Sequence, residues 1–142
     1  MEDINPSDQR IREILARPTT VAVIGCSDNP ARDSLRIAML LRNKGFRVFP
    51  VNPQLPQEAL MDALGERCYP DLASIPHDVE IVDVFRRSEF VAEIANEAIA
   101  KGARVLWCQL GVIDLDAARH AQAAGLTVVM DRCPAIEYRR LF

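Results

Sequence analysis

Short runs of aliphatic and β-branched residues recur along this chain, each followed by a stretch with apolar residues at helical spacing. That alternation is the pattern of parallel strands wrapped by helices. The first run, Thr20-Val21-Ala22-Val23-Ile24, stops at Gly25. Before it, residues 8–17 predict a helix with Ile11, Ile14 and Leu15 on one face and Pro18 beyond its end. After it comes a polar loop to Asp33, placed to cap a helix over 34–44 in which Leu35, Ala38, Met39 and Leu41 share a face.

The cycle repeats. A second strand over 46–51 ends at Asn52-Pro53, where proline disfavours helix in the residue before it. A short helix over 57–64 and a short edge strand at Cys68-Tyr69 follow. A strand over 79–85 leads to a helix over 88–101, with Val91, Ile94, Ala95, Ala98 and Ile99 lining one face and Gly102 ending it. A strand over 104–108, a helix over 114–124, a strand over 126–130 and a closing helical turn over 135–141 complete the chain. The expectation is one doubly wound, mostly parallel α/β domain over 1–142, its core spanning 18–142, with helices on both sheet faces.

Ligands of such sheets bind at the carboxyl ends of the strands, near the point where strand order reverses. Four loops converge there: 25–33, Asn52-Pro53, 85–87 and 108–113. The net charge of −3 argues against a nucleic-acid partner, which calls for a basic face. No apolar run approaches the roughly 18–20 residues of a membrane span, and the acidic start Met1-Glu2-Asp3 is unlike a signal peptide. A cytoplasmic protein is expected. Cys26, Cys68, Cys108 and Cys133 fall into no metal-ligand spacing and are expected as reduced thiols, so no metal site is assigned.

The first loop begins like a dinucleotide fingerprint and then departs from it. The full pattern needs glycine at positions 27 and 30, where the chain has Ser27 and Pro30. Asn52-Pro53 stands where an acidic residue would hold an adenosine ribose. Gly25 can still turn the chain, and the helix N-terminus can still present N–H groups and its positive end to a phosphate. Ser27 and Ser34 add hydroxyl groups, and Arg32 adds a fixed charge. The same residues also suit a plain strand end beside a solvated arginine.

Six segments in order, taken together, resemble the CoA-binding domain family: Rossmann-like domains similar to the N-terminal domain of the succinyl-CoA synthetase α subunit, and small stand-alone bacterial CoA-binding proteins. They are Val21 to Ser27, Pro30 to Ser34, Val51-Asn52-Pro53, Val82 to Arg86, Val105 to Gly111 and Val128 to Pro134. The resemblance implies that Gly25, Cys26, Ser27, Arg32 and Ser34 belong to a loop holding the phosphates of coenzyme A or an acyl-CoA. It further implies that Asn52 and Pro53 border the nucleotide and that Phe85 and Arg86 line the cofactor's path. The stretch 54–66 departs most from the pattern. Arginine suits phosphate because its planar fork donates in pairs and stays charged, which fits Arg32 and Arg86.

No Ser/His/Asp, Cys/His or paired-carboxylate set has supporting spacing, so no catalytic residue is assigned. A non-catalytic binding or regulatory module is the expected role. The alternatives are an NAD(P)-dependent oxidoreductase and a CoA transferase using Cys133, and either a protein partner or a homo-oligomer is compatible with the sequence. Asp83, alone among apolar residues of its strand, is expected to cap a backbone donor. Trp107 is expected in the core, His77 in an exposed loop, and His120 on a helix without a partner. Gln109 follows a strand, where it can donate to a pantetheine arm or bond within its loop. Arg87 and Arg132 are near enough in sequence to pair with Glu89, Asp131 or Glu137.

Overall fold

The computed structural model describes residues 4–142. Five parallel strands form one sheet: β1 (Thr20–Ile24), β2 (Arg47–Val51), β3 (Ile81–Val84), β4 (Val105–Cys108) and β5 (Thr127–Val129), in the order β2-β1-β3-β4-β5. Around it lie α1 (Asp8–Ala16), α2 (Asp33–Asn43), α3 (Met61–Leu64), α4 (Val91–Lys101), α5 (Leu115–Ala123) and α6 (Pro134–Leu141). Side chains alternate across each strand, and here both sheet faces are apolar because helices cover both. Ala22, Phe49, Val82, Leu106 and Val128 point into a core with α4 and α5, while Val21, Val23, Val48, Ile81 and Trp107 point into a second core with α1 and α2.

The chain after β1 crosses to β2 on one side, and the chain after β2 returns to β3 on the other. The order therefore reverses beside β1, and the loops after β1 and β3 meet at the carboxyl edge. Phe85 N donates to Ile24 O at 2.9 Å there, and Gly25 N donates to Val51 O at 2.8 Å. Those two bonds fasten the ends of three strands to one another.

Several boundaries differ from the sequence expectation, each for a local reason. Asp33 does not cap α2: it is the first helical residue and ion-pairs with Arg36 one turn on, and Arg32 occupies the N-cap without a side-chain bond to the helix. The helix expected over 57–64 is confined to Met61–Leu64, since 52–60 is held in successive turns by Leu55 N to Asn52 O and Ala59 N to Pro56 O. Cys68-Tyr69 makes only one bridge, Tyr69 to Val51. Residues Ser88–Phe90 form a 3-10 turn ahead of α4 rather than its first turn.

The closing segment is a full helix, not a single turn. Pro134 at its start is pre-set for helical geometry. Arg140 holds both Asp8 (2.7 Å) and the buried Glu137 (2.9 Å), and Tyr138 donates to Leu15 O at 3.0 Å, so α6 is strapped against α1. At the far sheet edge the Asn5 amide pairs with both backbone groups of Met130, at 2.9 and 2.6 Å, and covers an otherwise open strand end.

Candidate functional site

Gly25 turns out of β1 with φ +84°, a left-handed conformation that strains any residue with a Cβ. A Cβ there would lie 3.2 Å from Phe85 O and 3.1 Å from Arg86 Cδ. Glycine is needed twice at this position, once for the turn and once so that the first loop can approach the end of β3.

Beyond Gly25 the loop is held by its own side chains where the dinucleotide pattern has glycines. Ser27 N donates to the buried Ser34 Oγ at 2.9 Å, Asn29 N to Ser27 Oγ at 3.0 Å, and Ala31 N to Asn29 Oδ1 at 2.9 Å. Such side-chain turns replace backbone hydrogen bonds and fix a loop without special dihedral angles. Asn52 Nδ2 donates to Cys26 O at 3.0 Å while its Oδ1 accepts from Gln54 N at 2.9 Å, so the end of β2 braces the first loop.

The loop delivers the start of α2 to the carboxyl edge. Ser7 caps α1 and Asp114 caps α5, but no side chain caps α2. Its first-turn N–H groups keep the donor capacity and positive dipole end that helix N-termini offer an anion. The Arg32 side chain is exposed at that N-cap.

Cys26 is placed differently from its neighbours. Its thiol is fully buried beneath the loop, and burial, aided by Cys68 and Asp83, pushes it up to about 12. It contributes backbone to the loop and packing to the core. Cys108 is likewise buried and pushed up to about 12, and burial raises Cys68.

Phe85 and Arg86 follow β3 and point to opposite faces of the sheet, as successive extended residues do. Arg86 faces α4, its guanidinium 4.1 Å over the Phe90 ring, in a recess of about 220 Å³ that Gly25 and Pro53 also line. The recess carries Asp71, Glu93 and Glu97; burial raises Glu97, with Glu93 and Asp71 adding to the shift and Arg86 opposing it. Phe85 faces the other way, into a cleft of about 640 Å³ between α2 and α6 whose walls include Ile37, Gln109, Cys133 and Ile136.

The structure thus joins Gly25, Ser27, Ser34 and Asn52 in one braced loop, with Gly25, Pro53 and Arg86 on one side and Phe85 on the other. The cleft residues on α2 and α6 were not singled out from the sequence, because nothing local indicates that those two helices face each other.

Asp83 does not cap a backbone donor. Its Oδ1 accepts from Gln109 Nε2 at 2.5 Å, and its Oδ2 has no partner among the described residues. His120 does have a partner, with Nε2 2.9 Å from Asn96 Oδ1. Trp107 is buried and donates to Arg132 O at 2.9 Å. Arg87 pairs with Glu89 at 3.2 Å, and Arg132 with Glu137 at 3.5 Å. His77 is exposed and stacks on Phe49 at 5.4 Å. Among the described residues no cluster of His, Cys, Asp and Glu is arranged to hold a metal, and no helix is long and apolar enough to cross a membrane.

The CoA binding domain family matches residues 19–139. The Uncharacterized protein YneT of Bacillus subtilis (strain 168) is 37% identical over 129 residues, which is 91% of this chain and 92% of that protein. A solved structure, a hypothetical protein from Pyrococcus horikoshii OT3, is 37% identical with a TM-score of 0.86, covering 99% of both chains. The Acetate--CoA ligase [ADP-forming] II of Archaeoglobus fulgidus is 31% identical over 87 residues, 60% of this chain but only 12% of that protein's length. With a match across most of its length, the chain belongs to the CoA binding domain family.

Proposed function

We propose that this chain binds coenzyme A, or a thioester of it, in the cytoplasm as a binding or regulatory module that performs no chemistry of its own. The juxtaposition of the braced first loop, the uncapped start of α2 and the Phe85-Arg86 end of β3 carries the proposal. A pyrophosphate needs several N–H donors and a lasting cation. The first turn of α2 would supply the donors, and Arg32 at its N-cap and Arg86 against Gly25 would supply the charge. Asn52 and Pro53 would border the nucleotide beyond β2.

The residues present fit such a ligand better than a nicotinamide dinucleotide. Ser27 and Pro30 stand where the dinucleotide loop needs glycine, and Asn52-Pro53 directly follows β2 where an acidic residue would hold a ribose.

Native mass spectrometry of gently purified protein tests the proposal. A bound species of CoA mass supports it. A bound species of NAD or NADP mass would overturn it.

A further inference from the structure

The cleft between α2 and α6 opens beside the end of β3, where Phe85 lines it. Its volume of about 640 Å³ lies within the range of small-molecule pockets. Ile37, Leu40, Phe85 and Val112 make its walls apolar. Two more apolar side chains stand open on it, Leu110 at 57% and Ile136 at 41% exposure. Exposed apolar groups gathered on one concave surface mark a place that something covers.

Three observations say what. Phe85 lines the cleft while its own carbonyl abuts Gly25, so the cleft and the first loop share one residue. Gln109, on the cleft floor, uses its side-chain N–H on Asp83, and its amide oxygen accepts no hydrogen bond among the described residues. That leaves an acceptor beside the path out of the first loop, and the pantetheine arm of CoA carries amide N–H donors. Finally, the charges of the cleft, Arg36 and Arg139 with Asp33, belong to its helical borders.

We propose that this cleft is an acyl pocket. Resting on the CoA reading above, it assigns the ligand as a CoA thioester of a straight aliphatic acid. The pantetheine arm passes Phe85, donates to Gln109 Oε1, and delivers the chain between Ile37, Leu40 and Ile136. Cys133 on the cleft wall is partly exposed, whereas Cys26, Cys68 and Cys108 are buried, so it serves as a built-in reporter of occupancy.

Calorimetric titration of the intact protein with free CoA and with acetyl-, butyryl-, hexanoyl- and octanoyl-CoA tests this. Affinity should rise roughly tenfold for each two carbons added, as burial of two methylene groups requires, until the chain outgrows the cleft. Ile136→Asp, at an exposed helix position, should flatten the series. At saturating ligand, octanoyl-CoA should slow maleimide labelling of Cys133 several-fold more than acetyl-CoA does.

Free CoA binding with a flat chain-length series would overturn the acyl pocket and leave the CoA reading intact. Failure of every CoA species to bind would overturn both. Sedimentation showing a dimer that Ile136→Asp converts to monomer would make the cleft a self-interface, and would likewise overturn the acyl pocket.

Discussion

Gln109 holds Asp83 across β4 and β3 with a 2.5 Å hydrogen bond, and it is the bond through which the floor of the cleft reaches the middle of the sheet. The register aligns Val84 with Cys108, which puts residues 83 and 109 on the same sheet face, diagonal to each other. The carboxyl is 1% exposed and only one of its oxygens is satisfied. Burial pushes Asp83 up to about 7 against the opposing pull of Gln109.

A pH dependence follows. The folded value lies above the unfolded one, so the stability that the neutral acid contributes is complete below about pH 4 and is lost as pH rises through 7. Between pH 5 and pH 8 the loss is on the order of 3 kcal/mol. Asp83→Asn, which cannot ionise, should lack this component. Urea unfolding of both proteins at the two pH values measures it, and an identical difference at pH 5 and pH 8 would mean that Asp83 does not titrate in that range.

Gly25→Ala and Gly102→Ala form a matched pair, because their φ angles are +84° and +83°. Each change costs about 1–2 kcal/mol for the left-handed conformation alone. Gly102 opens onto empty space, whereas a Cβ at Gly25 meets Phe85 O and Arg86 Cδ. Gly25→Ala should therefore be the more destabilising and should also weaken CoA binding, with Gly102→Ala leaving binding alone. Equal melting temperatures and equal affinities in the two variants would show that the end of β3 yields freely.

Arg32→Ala and Arg86→Ala should each weaken CoA binding by about tenfold or more, the worth of one charge-assisted hydrogen bond. Circular dichroism should be unchanged in both, as neither side chain is buried in a core. Loss of affinity in Arg32→Ala alone would reassign Arg86 to its neighbours Phe90 and Glu97.

The strands were legible because each is a short apolar run closed by a turn residue, and so were the helix faces, because Val91, Ile94, Ala95 and Ala98 recur at helical spacing. The first loop was legible in composition but not in mechanism. Ser27 and Ser34 read as hydroxyl groups for a phosphate, and in the fold each Oγ accepts a backbone N–H that makes the loop rigid, while its own O–H is still a donor. The Asp83–Gln109 pair needs the register of β3 against β4, which no local pattern encodes. The cleft needs α6 laid beside α2, a placement made by tertiary packing and by contacts such as Tyr138 to Leu15 O, 123 residues apart, which no local pattern encodes.

Isothermal titration of the purified protein with CoA, and in parallel with NAD and NADP, decides which cofactor the first loop holds. Saturable binding of one CoA per chain is expected, with a much weaker response or none to either dinucleotide. Dinucleotide binding as tight as CoA binding, or tighter, would contradict the CoA reading.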